Sequence, residues 1–220
     1  WPQARARLPW RCAAMVQLRL FGNGPQRLLD DASGRIVLVP DLVDEVTARR
    51  WFSELQAGVA WRAGTRQMYE REVEVPRLRA HFQLGDEGLP AVLHEARAAV
   101  ATAVDGPFDS IGLNFYRDQH DSVAPHNDKL SDLARGQPIA LLSLGATRRM
   151  TIRAKRLPRR VLQLDLVAGS LLLMSWKTQL HYDHAILKQR TPVGPRISLA
   201  FRVHGGAWTH ARPAPIDSGK

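Results

Sequence analysis

Two textures divide the pattern of apolar and polar positions along this chain. Up to about residue 107 the apolar residues recur at helical spacing. Leu42, Val43, Val46, Trp51, Phe52 and Leu55 form one stripe, and Val92, Ala96, Val100 and Ala103 form another. Asp41 is placed to cap the first helix. Pro90 falls in the first turn of the second, expected from Leu89 to Val104, where a missing N–H costs nothing. One short strand, Arg35–Val39, precedes them and is closed by Pro40. From Phe108 onward the apolar runs are short or alternating: Phe108–Arg117, Pro138–Gly145, Met150–Lys155, Val161–Val167, Ser170–Ser175 and Arg196–His204. Helices followed by a run of strands predict an α+β fold. A jelly roll, or double-stranded β-helix, forms its C-terminal half, and the N-terminal helices pack on it. The chain then divides into a basic, partly disordered leader (1–30), a helical region (31–107), the β core (108–206) and a tail (207–220).

Composition narrows the class. A chain of 220 residues, 45% hydrophobic and 24% charged, suits one sizeable soluble domain, expected to be a monomer. No apolar run approaches the roughly 20 residues that a membrane-spanning helix needs. The arginine-rich stretch Trp1–Met15 has no apolar core and no small-residue cleavage site, so secretion is not expected. The single cysteine, Cys12, permits neither an intrachain disulfide nor a cysteine zinc site, which suits a reducing cytoplasm, nucleoid or nucleus.

Charge changes the picture more. Lys and Arg number 31 against 21 Asp and Glu, a formal charge of +10. Arg148, Arg149, Arg153, Lys155, Arg156, Arg159 and Arg160 are concentrated in one short stretch. The bland reading is a solvated hairpin face; the favoured one is a surface for nucleic acid, DNA or RNA, with Arg148, Arg149 and Arg153 as contacts.

The candidate chemistry lies in three short texts: Pro125-His126-Asn127-Asp128, Tyr182-Asp183-His184, and Arg196 to Arg202. In extended chain, residues i and i+2 project to one face, so His126 and Asp128 can meet one metal. The third ligand must arrive through tertiary structure. His181 and His184 compete, and His184 is preferred because it directly precedes the apolar pair Ala185-Ile186. Two histidines and one carboxylate form the facial triad of non-haem Fe(II) oxygenases, which leaves positions for a bidentate cosubstrate and O2. Residue types alone leave zinc, copper and manganese open. Arg196 and Arg202 share a strand face with the small residues Ser198 and Ala200, a pair of cations suited to a dicarboxylate. Asn114 and Tyr116 alternate in the same way on the earlier strand and offer an amide and a phenol.

From about Phe108 to His204 these motifs, with Pro138–Gly145 and Gly169–Met174, resemble the AlkB family of Fe(II)- and 2-oxoglutarate-dependent dioxygenases. Upstream, Val75-Pro-Arg-Leu-Arg-Ala-His-Phe82 is similar to the segment before the substrate pocket in members that repair alkylated DNA, which makes residues 31–107 a substrate-recognition region. The resemblance implies iron held by His126, Asp128 and His184. It implies 2-oxoglutarate held by Arg196 with Asn114, Tyr116 and Ser198, and Arg202 near the chelating carboxylate. It also implies oxidative dealkylation of N-alkylated bases, with release of aldehyde, succinate and CO2. Arg77, His81, Phe82 and Asn127 are then candidates for substrate contact, a flipped base needing an apolar or aromatic sandwich.

The chain departs from the family text at four places. Ser198 and Ala200 stand where Asn and Thr are usual, Leu130 where an acidic residue reads the base, and the aromatic hairpin after the Pro-Arg segment is absent. These departures bear on the substrate. A protein side chain or a small metabolite is the alternative substrate, and a non-catalytic nucleic-acid-binding jelly roll is the alternative class.

Overall fold

The computed structural model describes residues 24–68 and 71–205, with side chains omitted for 65–74. The expected leader and tail therefore lie largely outside the described residues, together with Cys12 and Met15. The leader boundary at residue 30 is corrected, because β1 (Gln26–Asp31) pairs with β2 (Gly34–Val39) and buries Leu29.

Helix α1 (Glu45–Gly58) starts later than Asp41 suggests. Leu42 and Val43 donate their backbone N–H groups to Gly169 O, which holds this segment out of the helix. Asp44 then becomes the cap, accepting from Thr47 N at 2.7 Å. Gly169 has φ +80, and a Cβ there would collide with the Val43 carbonyl, so this junction requires glycine. Val46 of the expected stripe is 77% exposed; Ala48, Trp51 and Leu55 carry the burial instead.

A hairpin follows, of β3 (Arg62–Met68), which has no apolar alternation, and β4 (Arg71–Gln83), in which Leu78, Ala80 and Phe82 alternate toward the core. Helix α2 (Ala91–Ala103) has Pro90 as its N-cap residue rather than in its first turn, and buries Val92, Leu93, Ala96 and Val100. The remaining strands are β5 (Ser110–Tyr116), β6 (Val123–His126), β7 (Ile139–Gly145), β8 (Arg148–Ala154), β9 (Val161–Leu166) and β10 (Leu171–Met174). After the short helix α3 (Trp176–His181) come β11 (Tyr182–Ile186) and β12 (Arg196–Arg202).

All strand pairs are antiparallel. One sheet has the order β1-β2-β10-β7-β12-β5-β4-β3 and the other β6-β11-β8-β9. Side chains alternate across the large sheet and so serve two cores. Ile197, Leu199, Phe201, Ile111 and Leu113 pack with Trp51, Leu55, Leu93 and Ala96 of the two longer helices. Tyr116, Ala200, Leu141 and Leu172 face Met150, Ile152, Tyr182 and Ile186 of the small sheet. Mostly antiparallel strands in two facing sheets, with few helices, form the jelly-roll architecture. The chemistry lies on the inner face.

Candidate metal and cosubstrate site

Across the inner face of the large sheet, register sets residues in rungs. Arg196 stands opposite Tyr116 and Gly145, Ser198 opposite Asn114 and Ser143, and Ala200 opposite Gly112 and Leu141. One cation, a polar trio and small residues thus lead toward Arg202, which pairs with Ser110.

The metal triad assembles beside this face. His126 ends β6 and stands directly across from His184 on β11, their ring centroids 4.4 Å apart. One ligand atom each from His126, Asp128 and His184 lie within 4.8 Å of one another. Of the two competing histidines, His184 is the one that lies in this cluster. The Nδ1 of His126 is 2.9 Å from Ala124 O; a carbonyl can only accept, so Nδ1 is the donor in this bond and Nε2 is the ring nitrogen left for a metal. Burial, reinforced by His126 and opposed by Asp128, pushes His184 down to about 4, so its imidazole is neutral at ordinary pH. Burial alone would raise Asp128; the charge and hydrogen bonds of Arg202, with smaller help from His184 and His126, outweigh it and hold the carboxyl below the usual range. The His184 imidazole and the Asp128 carboxylate thus stand in the form that binds a metal.

Four neighbours hold the triad. Arg202 donates through Nε and Nη2 to the two oxygens of Asp128, each at 3.0 Å. Arg202 therefore orders the carboxylate of the candidate triad. Gln179, buried on α3, accepts from Asp128 N at 2.9 Å. Lys155 donates to Asn127 Oδ1 (2.8 Å) and to Gln179 O (2.7 Å), and Asn127 donates to Asp128 O. Asn127 is thus tied into the loop that carries Asp128. Sequence reading missed Gln179 and Lys155 because no local spacing links them to the triad.

Arg196 fits the carboxylate role. It is 1% exposed, donates through Nη2 to Ser143 Oγ at 2.9 Å, and leaves Nε without a partner among the described residues. Burial, with Arg148 adding to it and Tyr116 opposing, lowers its pKa to about 10. A buried cation with an unused N–H calls for an anion. Asn114 accepts from Arg77 Nε at 2.7 Å, and Tyr116 is buried against Arg196.

A cleft of about 1110 Å³ opens onto His126 and Asp128 of the triad. Arg62, Arg77, Arg79 and His81 line it, with His126, Asp128 and Arg202. Phe82 also borders it, but its side chain packs with the helix-side core, since its register partner Ile111 faces that way. It is therefore not on the inner face with His81. The largest correction concerns Arg148. It is 0% exposed and bonded to backbone carbonyls, so it touches no nucleic acid. Arg149 is on the surface but paired with Asp165 at 2.7 Å, while Arg153 is exposed.

The sheet architecture and a two-histidine, one-carboxylate centre beside a buried arginine define the class of the protein. A family model described as the 2OG-Fe(II) oxygenase superfamily matches residues 86–202. The chain belongs to that superfamily and, within it, to the AlkB family. It is 31% identical over 185 residues to "DNA oxidative demethylase ALKBH2" of Bos taurus, covering 73% of this chain and 66% of that relative. The Mus musculus protein of that name is also 31% identical, over 73% of this chain and 77% of the relative. "Alpha-ketoglutarate-dependent dioxygenase alkB homolog 3" of Rattus norvegicus is 30% identical over 84% of this chain and 68% of its own. The cofactor of this class is Fe(II), and its cosubstrates are 2-oxoglutarate and O2. The donor set and the unused Nε of Arg196 fit both groups.

Proposed function

We propose that this dioxygenase oxidatively dealkylates N-alkylated bases in DNA or RNA. The observation that carries the reading is the cationic cleft that reaches His126 and Asp128, with Arg62, Arg77 and Arg79 on its walls. Phosphates are the natural partners of such a wall. Two relatives whose printed names specify DNA demethylation and a dioxygenase of the same family agree with it.

His126, Asp128 and His184 would hold Fe(II), and Arg196 would pair with the distal carboxylate of 2-oxoglutarate, assisted by Ser198, Asn114 and Tyr116. Fe(II) and 2-oxoglutarate, held there, would supply the oxidising chemistry toward O2: the cosubstrate would leave as succinate and CO2 and the hydroxylated N-alkyl carbon as aldehyde. The protein's part is placement. Arg202 and Gln179 fix the carboxylate ligand from two sides. Arg62 and Arg79, with Arg153 on the small sheet, would hold phosphates, and His81 with His126 would flank the extruded base. The protein would act as a monomer in the cytoplasm, nucleoid or nucleus.

Leu130 favours a second reading. It lies in a 3-10 turn two residues past Asp128 and offers no hydrogen bond to a base, which suits a protein side chain or small metabolite. One experiment separates the two: a screen of oligonucleotides containing methyladenine or methylcytosine, as DNA and RNA, read by mass loss with Fe(II) and 2-oxoglutarate. The first reading expects loss of a methyl group from at least one strand type. Succinate formation with every strand intact would move the substrate elsewhere.

A further inference from the structure

Arg148 has no part in the chemistry described so far, yet it is among the largest fully buried side chains of the protein. Its Nη1 donates to Asp118 O, and its Nη2 donates to Asp121 O and Leu187 O, all at 2.9 Å. Those carbonyls belong to two segments distant in sequence, the turn after β5 and the end of β11. The Nε of Arg148 has no partner among the described residues, and neither has that of Arg196.

Both guanidiniums approach one ring. The Cζ of Arg148 is 5.6 Å from the Tyr116 centroid, and that of Arg196 is 5.4 Å. The carboxylate nearest in the chain, Asp121, is taken by Arg117, which reaches it through its backbone N, Nε and Nη2. Two buried cations with one unused N–H each therefore share a single phenol, and Asp121 and Asp118 act on Arg148 through charge without a side-chain hydrogen bond to it. Such an arrangement is costly unless an anion completes it. Burial lowers both arginines, and Arg148 adds to the lowering of Arg196, so the two share one electrostatic field.

We propose that Arg148 is a positioning residue for the dicarboxylate cosubstrate. It makes the closed end of the cosubstrate pocket doubly cationic, backs the ring of Tyr116, and ties the 118–121 turn and the end of β11 behind it. This rests on the assignment of Arg196 to the distal carboxylate. Arg148 acts through Tyr116 and through its charge.

The test compares 2-oxoglutarate with 2-oxopentanoate, a chain of the same length without the distal carboxylate. Affinities are measured by calorimetry on the Mn(II)-loaded protein. Arg148→Met is expected to weaken 2-oxoglutarate about tenfold, about 1.4 kcal/mol, and 2-oxopentanoate less than about twofold. Arg148→Lys, which keeps the charge, is expected to recover most of the loss. In turnover, KM for 2-oxoglutarate rises about tenfold while kcat at saturation stays within about twofold. Equal weakening of both ligands would reduce Arg148 to a structural strut and overturn the proposal.

A second measurement needs no variant. In the wild-type protein loaded with Zn(II), the arginine Nε–H signals of Arg148 and Arg196 are followed by nitrogen-15 NMR. Both should shift with 2-oxoglutarate, and Arg148 should stay in place with 2-oxopentanoate. An Arg148 signal indifferent to 2-oxoglutarate overturns the proposal. If the Arg196 signal is indifferent as well, the carboxylate assignment itself fails, which is a different result.

Discussion

Gln179→Met separates the role of the ligand loop from that of the ligands. The substitution nearly keeps side-chain length and removes the acceptor that receives Asp128 N at 2.9 Å. Gln179 is 1% exposed, so water cannot readily replace the lost acceptor. Leaving a buried N–H unpaired costs about 1–3 kcal/mol. The bond from Lys155 goes to the backbone carbonyl of Gln179 and survives the change, so the loop loosens at one point only. Groups that orient metal ligands contribute roughly 10- to 100-fold to metal affinity. Metal affinity, measured by Mn(II) electron paramagnetic resonance and by the Fe(II) dependence of succinate formation, should fall within that range. The kcat at saturating Fe(II) should change little. If stability falls while metal affinity stays within about threefold of wild type, Gln179 is a packing residue and the account of the loop is wrong.

Three further outcomes follow from the same geometry. Arg196→Leu removes the buried cation and should raise KM for 2-oxoglutarate roughly 30- to 1000-fold, in line with about 2–4 kcal/mol for truncating a buried charged contact; an unchanged KM would place the distal carboxylate elsewhere. Asp128→Ala should abolish turnover yet leave oligonucleotide binding as tight or tighter, because Arg202 is released into a cationic cleft; anisotropy reads this, and lost binding would make the metal loop structural. Asp121 is held below 3.8 by hydrogen bonds and charge from Arg117 that outweigh burial, which acts the other way. Its pair therefore contributes stability above the unfolded pKa and loses it as pH falls through the lower folded value. Melting curves of Asp121→Asn should lie below wild type at neutral pH and converge with it in acid. A gap independent of pH would contradict the assignment.

Most of the candidate site was legible in the chain because its residues are tied to local patterns, His184 excepted. His126 and Asp128 sit two apart at a strand end, and Arg196, Ser198, Ala200 and Arg202 alternate on one strand with an apolar opposite face. Strand β3 was not legible. Arg62-Ala-Gly-Thr-Arg-Gln-Met68 lacks alternation, and as the sheet-edge strand it needs only one neighbour. Arg148 was misread because counting charge assigns every arginine to the surface. Its signal was present in phase: Arg148, Met150 and Ile152 share the buried face of β8. What no spacing could reveal is the three backbone carbonyls that receive it. Helix α1 was placed early for a similar reason, since the partner that delays it, Gly169, is far away in sequence.

The most direct test of the central claim is stoichiometry. Wild-type protein with Fe(II), 2-oxoglutarate, O2 and a methylated oligonucleotide should form succinate, formaldehyde and demethylated strand in equal amounts. Succinate without demethylated strand, for every DNA and RNA tried, would contradict the nucleic-acid substrate. No succinate at all, from a folded protein that binds metal, would contradict the site.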